Sequence, residues 1–511
     1  MAAHPSQSSA RAAGPPPGSQ PLYPRRWSAF AFLLLASAMN LIDLTIVVVG
    51  IPSIRANLGA TAVTAEWIVA AYALVFGLGL ITGGRLGDIY GRRPVFTIGV
   101  LGFTVGSALC GLAPTISVLI AGRAIQAAFA AMMMPQVLSS LGTLFPPQER
   151  GRAMGMYGAV IGLATISGPL AGSLLVQGDL FGLHWRPIFL VNIPIGVVAA
   201  IGALRLVPDS RGGRPVRLDV VGVVLLAVAL LLLLFPLVQG QSLGWPAWAI
   251  VSIVASVPAF ALFAFHQSRR AVADSPLVPL SLFRQAGFRG GVIVITIFFL
   301  GLAGYSLVLM LTLQQGLGFG PIHAGLTVLP FSVGVAAASS ATIRMHGRVP
   351  PRRLALLGIL AITCGMTINA VVVHVVGPGL TSFHIIPGSL VSGLGLGTVT
   401  PVISGIVLSS MDPRDAGAGS GVLNTAGQVG SAVGVSIVGA IFFHTLPAGQ
   451  AASHPAIAYT DGLGSVLLFM VPLYALCAVC AALLLPNPPP RPAGPPQPAR
   501  TPAPSPEARP A

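Results

Sequence analysis

The feature that most constrains this chain is the recurrence of apolar runs of about 20 residues, each long enough to cross the ~30 Å hydrocarbon core of a bilayer as a helix. Fourteen such runs occupy residues 29–51, 66–86, 95–113, 117–140, 153–176, 188–207 and 219–239, then 247–266, 290–313, 323–343, 354–376, 384–408, 419–443 and 462–485. Short connections rich in Gly, Pro or Arg separate them. A membrane β-barrel shows segments of ~10 residues with alternating polarity; these runs are continuous and twice that length. The expected fold is therefore an all-α polytopic membrane protein of about fourteen transmembrane helices. Composition agrees, because 8% of the 511 residues are charged and 54% are hydrophobic, where a soluble domain carries ~25% charged residues.

A formal charge of +15 raises nucleic acid as a partner, and the placement of the cations decides against it. All 27 basic residues are Arg. With the N-terminus inside, twenty of them fall in or beside the cytoplasmic loops, among them Arg150, Arg152, Arg269, Arg270, Arg352 and Arg353, whereas only Arg55 and Arg186 face outward. This is the positive-inside pattern, and it puts both termini in the cytoplasm. The chain has no lysine, so it has no G-x-x-x-x-G-K-[ST] phosphate loop. An ion gradient remains as the energy source: one charge crossing ~100 mV is worth ~2.3 kcal/mol, enough to drive a substrate roughly fifty-fold uphill.

No cofactor, metal or enzymatic active site is expected. Cys110, Cys364, Cys477 and Cys480 all lie in predicted spans, and the nine histidines are scattered, which suits packing and interfacial polarity better than a zinc site. Residues 1–24 and the Pro-rich stretch 486–511 read as disordered cytoplasmic tails. Between them the expected organisation is an N-terminal six-helix half (25–210), an inserted helix pair made of spans seven and eight (211–270), and a C-terminal six-helix half (271–485). Two echoes motivate the halves. Pro147-Gln-Glu-Arg-Gly-Arg precedes span five as Asp412-Pro-Arg-Asp-Ala-Gly precedes span thirteen, and the loop from Gly84 to Arg93 pairs with Arg344-Met-His-Gly-Arg-Val-Pro-Pro-Arg-Arg. Parallel halves point to alternating access around a midplane site. The run from Val220 to Leu234 is nearly uniformly aliphatic, as a peripheral, lipid-facing helix would be.

Charges at membrane depth are costly and functional by default. The acidic residues singled out within the spans are Asp43 and, near an outer end, Glu66. Asp43 lies nine residues below Pro52, and Arg123 lies nine residues from Pro114 on a helix running the other way. At 1.5 Å per residue both sit ~13 Å below the outer ends of their helices. Burial favours a protonated carboxyl and a neighbouring Arg favours its release, so the pair is a candidate proton switch; the structural alternative is an ion pair that fixes two helices. Asn40 and Gln126 lie one turn from Asp43 and Arg123, and Asn424 and Gln428 form a similar i, i+4 pair in the second half. These four, with Glu66 in an outer vestibule, are candidate substrate contacts, and interhelical hydrogen bonding is their structural alternative. Span five carries Gly155, Gly158, Gly162, Gly168, Pro169 and Gly172, a set that permits close helix approach and a bend.

These segments resemble the major facilitator superfamily, in its drug:proton antiporter branch with fourteen spans. Gly84-Arg-Leu-Gly-Asp-Ile-Tyr-Gly-Arg-Arg-Pro-Val-Phe looks like the signature between helices two and three, which implies a conformational-switch role for Gly84, Asp88, Gly91, Arg92 and Arg93. Leu41-Ile-Asp-Leu-Thr-Ile-Val-Val-Val-Gly-Ile-Pro is similar to the first-helix motif, with Val48 where Asn is usual. Leu119 to Ala131 resembles the fourth-helix motif through Arg123 and Gln126, with Ala127 where Gly is usual, and the resemblance implicates Arg123 in proton transfer. Ser167-Gly-Pro-Leu-Ala-Gly looks like the antiporter motif of exporters and carries Gly168, Pro169 and Gly172. His184-Trp-Arg-Pro-Ile-Phe-Leu-Val-Asn-Ile-Pro-Ile-Gly is similar to the sixth-helix motif, with Pro187 where an aromatic residue is usual, and Gly417 to Gly439 resembles helix thirteen. The resemblance implies proton-coupled efflux of antibiotics or other amphipathic drugs by a monomer in a bacterial cell membrane, with small amphipathic molecules, protons and lipid as partners. The alternatives are a dedicated transporter of one metabolite, such as a self-made antibiotic, and a nontransporting membrane sensor.

Overall fold

The computed structural model describes residues 23–60, 62–179, 182–209, 218–240, 243–270, 276–345, 348–412, 415–446 and 453–486. Apart from residues 23, 24 and 486, the two expected tails lie outside these. Fourteen helices are long and apolar enough to span a membrane, and no β-strand occurs among the described residues. They are α1 (Arg26–Leu58), α2 (Ala62–Tyr90), α3 (Arg92–Gly111), α4 (Ile116–Leu144) and α5 (Pro147–Gln177). After these come α6 (Pro187–Leu206), α7 (Val220–Gln239), α8 (Ala247–Arg270) and α9 (Ala286–Gly316). The chain closes with α10 (Pro321–Met345), α11 (Pro351–Val376), α12 (Ser382–Ser409), α13 (Ala416–His444) and α14 (Pro455–Leu484). The multi-span membrane architecture read from the apolar runs is therefore the one observed.

Several helices overrun their apolar runs, because hydropathy marks only the hydrocarbon layer while backbone hydrogen bonding continues into the headgroup region. The segment from Gly84 to Arg93, expected as a loop, is mostly helix. α2 continues to Tyr90 and α3 starts at Arg92, leaving Gly91 alone as the turn. Its φ of 98° lies in the left-handed region that only glycine adopts freely. α6 breaks at Val191, because Pro194 has no N–H to give the Leu190 carbonyl.

Within the first six helices, α1 packs on α5 and α6, while α4 packs on α2 and α3; within the last six, α13 packs on α9, and α12 packs on α10 and α11. The most extensive packing between these groups is of α2 with α13 and of α5 with α10. α7 and α8 pack on each other, and α7 also lies against α2 and α13. α7 is not uniformly lipid-facing: Leu226, Ala229, Leu230 and Leu234 are buried along one stripe, while Val220, Val221, Val224 and Val228 are exposed. An all-aliphatic sequence hides which face packs.

The apolar core of the first six helices is split. One cluster contains Phe30, Met39, Tyr72, Phe103 and Ala130, and a second contains Ile46, Ile68, Leu119, Trp185 and Phe189. On α1, α3, α4 and α6 alike, the buried polar residues between the clusters belong to one layer.

Candidate functional site

That layer centres on Asp43 and Arg123, which are 0% and 1% exposed. Arg123 Nη1 donates to Asp43 Oδ2 at 2.5 Å and to Gln126 Oε1 at 2.6 Å. Its Nε donates to the Ile68 carbonyl at 3.2 Å. The guanidinium carbon sits 4.2 Å above the Tyr72 ring centroid and 5.8 Å from that of Phe189, so the cation is held by π-faces as well as by oxygen. Asp43 Oδ1 accepts from Gln126 Nε2 and from Asn192 Nδ2, both at 2.8 Å. Gln126 and Asn192 also donate to Ser107 Oγ, at 2.7 and 3.3 Å, and the Tyr72 hydroxyl donates to Asn40 Oδ1. α1, α2, α3, α4 and α6 thus meet at one carboxylate.

This arrangement has a definite chemistry. The carboxylate and the guanidinium are buried together, so each charge is the other's main compensation, and loss of the carboxylate charge would leave Arg123 without it. Breaking a buried pair by deleting one partner costs about 3–5 kcal/mol.

The second cluster lies where α2 meets α13, at the end carrying Arg85, Arg92 and Arg93. Asp88 is buried and accepts from the backbone N–H of Gly417 at 3.2 Å and of Ala418 at 3.1 Å, at the N-terminus of α13. The orphan amides and positive dipole end of a helix are a natural seat for a carboxylate. Arg85 lies 3.7 Å from Asp88, and Arg92 donates to the Ser139 carbonyl at 2.7 Å and to Thr143 Oγ1 at 3.1 Å, tying α3 to α4. Arg93 is half-buried, and its carbonyl accepts from Thr97 Oγ1. A Cβ on Gly84 would stand 2.1 Å from the Gly417 carbonyl oxygen, so the two helices meet backbone to backbone.

Gly168 and Gly172 mark a similar approach of α5 to α1. A Cβ on Gly168 would stand 1.8 Å from Thr45 Oγ1, and one on Gly172 2.9 Å from Ile46 Cγ1. Pro169 lines a cavity of about 520 Å³ between α1 and α5 on one side and α9, α10 and α12 on the other, beyond the polar layer and toward the end away from Asp88. Its lining is mainly apolar, as at Val48, Met310 and Phe331, with Tyr305, Gln314 and Ser389 supplying polarity. No Asp, Glu, Arg or His is among the described residues that line it.

The candidate substrate contacts lie outside this lining. Asn40 and Gln126 belong to the Asp43 layer, Asn424 donates to the Ser420 carbonyl of its own helix, and Gln428 packs opposite Gly77 of α2. None of these four lines the cavity. The Glu66 side chain lies outside the described residues. Sequence reasoning missed Ser107, Tyr72 and Asn192, although Asn192 stood out as a polar residue inside an apolar run; it also missed Arg85 beside Asp88.

Residues 33–435 match the family model described as Major Facilitator Superfamily. The chain is 40% identical over 443 residues to the probable actinorhodin transporter of Streptomyces coelicolor, covering 86% of this chain and 76% of that one. It is 34% identical over 469 residues to puromycin resistance protein pur8 of Streptomyces alboniger (90% and 92% covered), and 31% identical over 419 residues to multidrug efflux pump LfrA of Mycolicibacterium smegmatis (82% and 81%). Among solved structures, the proton:xylose symporter XylE superposes with a TM-score of 0.63 at 14% identity, covering 90% of this chain and 96% of that one. That last likeness speaks to the fold alone.

Proposed function

The chain belongs to the major facilitator superfamily, and from that premise we propose that it exports antibiotics or other amphipathic small molecules across a bacterial cytoplasmic membrane in exchange for protons, conferring resistance. The observation that carries this reading is the buried Asp43–Arg123 pair, 2.5 Å apart, beside an uncharged cavity of about 520 Å³ between the two six-helix groups. The similarity to resistance and efflux proteins supports the direction of transport. In this reading both termini are cytoplasmic, and Asp88 with α13 closes the cytoplasmic end while the cavity faces outward. Proton uptake by Asp43 frees Arg123 and loosens α1 from α4; proton release restores the pair. A single copy holds both helix groups and the cavity, so a monomer suffices. An uncharged lining suits neutral or monocationic ligands better than dications, because a desolvated second charge would have no counter-ion.

The test is drug-evoked proton release in everted vesicles, with a panel of antibiotics and dyes on wild type and Asp43→Asn. Release evoked by several drugs and lost in the variant is expected. A wild-type rate in Asp43→Asn would remove Asp43 from coupling, and faster export of dications than of monocations would overturn the cavity argument. Response to one compound alone would favour a dedicated exporter of a self-made antibiotic, a reading that the 40% identity to a probable actinorhodin transporter supports.

A further inference from the structure

The polar layer contains one atom that its ionised state leaves unused. Asn192 is 1% exposed; its Nδ2 donates to Asp43 Oδ1 and Ser107 Oγ, and its Oδ1 is buried without a hydrogen-bond partner. A buried orphan acceptor is unfavourable by about 1–3 kcal/mol and calls for an explanation.

When Asp43 takes a proton on Oδ1, that oxygen gains an O–H that needs an acceptor and keeps only weakened acceptor capacity for the two amide N–H groups it faces. One amide must give way. Gln126 is fixed at both ends, by Arg123 on Oε1 and by Ser107 on Nε2. Asn192 is fixed at one end only, and its free end is the acceptor that a new O–H requires. Reversing it also exchanges one unpartnered end for the other, so the amide is poised between two orientations. We propose that Asn192 is a positioning residue that reverses its side-chain amide when Asp43 is protonated, so that Oδ1 accepts from the new carboxyl O–H and the protonation state is passed to α6. This rests on Asp43 being the proton acceptor. The proton comes from water and binds the carboxylate oxygen; no covalent bond within the protein breaks. The other ionisable groups around the carboxylate are Arg123 on α4, Tyr72 on α2 and Cys110 on α3; α6 brings Asn192.

The position of Asn192 assists this role. It begins the helical segment that follows the break at Val191, next to Phe189, whose ring stands beside Arg123. One turn of α6 therefore touches both members of the ion pair, and a change of hydrogen bonding at Asp43 reaches the backbone where α6 is already interrupted.

The experiment is pH-difference infrared spectroscopy on the full chain in proteoliposomes, with asparagine carrying a carbon-13 side-chain carbonyl. In wild type, an asparagine amide band is expected to shift in step with the appearance of a protonated carboxyl band, and both changes should be missing in Asp43→Asn. In Asn192→Leu the amide component disappears, and the carboxyl band moves to the frequency of an acid without an acceptor. A fixed donor to the carboxylate would, on removal, raise the proton affinity at least about tenfold. A reversing amide loses a partner in both states and leaves the affinity within about threefold. An Asp43 carboxyl band with no asparagine shift in wild type would overturn the proposal and leave the proton reading intact. Absence of any Asp43-dependent carboxyl band across the titration would overturn the reading on which it rests. The wild-type measurement stands even where Asn192→Leu does not fold.

Discussion

Replacing Asp88 by Asn changes little in shape and removes a charge at the point where the two helix groups touch. The carboxylate accepts two backbone N–H bonds from Gly417 and Ala418. Bonds to a charged acceptor are worth about 1.5–3 kcal/mol each, against about 1 for a neutral one, and an anion at a helix N-terminus adds about 0.3–1 kcal/mol, up to ~2 where partly buried. The amide keeps one acceptor oxygen, and removing a buried charge also relieves its desolvation cost, so the net loss is roughly 1–3 kcal/mol, which shifts the balance between closed and open forms of this end by about 5- to 150-fold. Spin labels at Tyr90 and Ser409, both exposed at this end and on opposite helix groups, report the change by double electron–electron resonance. Asp88→Asn is expected to add a longer-distance population. Gly417→Ala should do so more strongly, because the new Cβ would stand 2.4 Å from the Gly84 carbonyl and from Asp88 Oδ1, where backbone cannot yield. An Asp88→Asn distribution identical to wild type, in a protein that Gly417→Ala does open, would refute the idea that this carboxylate holds the end closed.

Arg123→Lys keeps the charge and loses the fork that reaches Asp43, Gln126 and Ile68 together; proton-coupled efflux in vesicles should fall by at least tenfold, for a loss of about 1.4 kcal/mol or more, and an unchanged rate would deny Arg123 a coupling role. Gly168→Ala drives a methyl into Thr45 Oγ1 and should lower both thermal stability and transport, and Thr45→Ala in the same chain should restore part of each; no rescue would show that the clash lies elsewhere. Asp219 caps α7 through Gly222 N at 3.0 Å and accepts from Gln267 Nε2 on α8 at 2.9 Å, with His266 Nε2 at 3.0 Å. Asp219→Ala is expected to destabilise the α7–α8 pair by about 1–3 kcal/mol, read as a lowered melting temperature in detergent; an unaltered transition would mean the cluster contributes nothing.

The drive to satisfy the bilayer is one-dimensional, so the sequence by itself determined the number of spans and which residues lie at membrane depth. Nothing in bilayer solvation fixes azimuth or partner. That Asp43 and Arg123 share a depth followed from counting residues to Pro52 and Pro114; that they touch, and that Asn192, Ser107 and Gln126 touch them, depended on how α1, α3, α4 and α6 rotate against one another. The same limit hid the lining of the cavity. Asn40, Gln126, Asn424 and Gln428 are legible as intramembrane polar residues, yet the cavity is walled by Val48, Met310, Phe331 and similar side chains that hydropathy cannot tell from lipid-facing ones. Gly84 and Gly417 are 333 positions apart, and only packing makes each the reason the other must lack a side chain. Local chemistry wrote the helices and their glycines; tertiary structure decided which polar groups meet, because the opposite charge that stabilises a buried Asp43 or Arg123 comes from another helix.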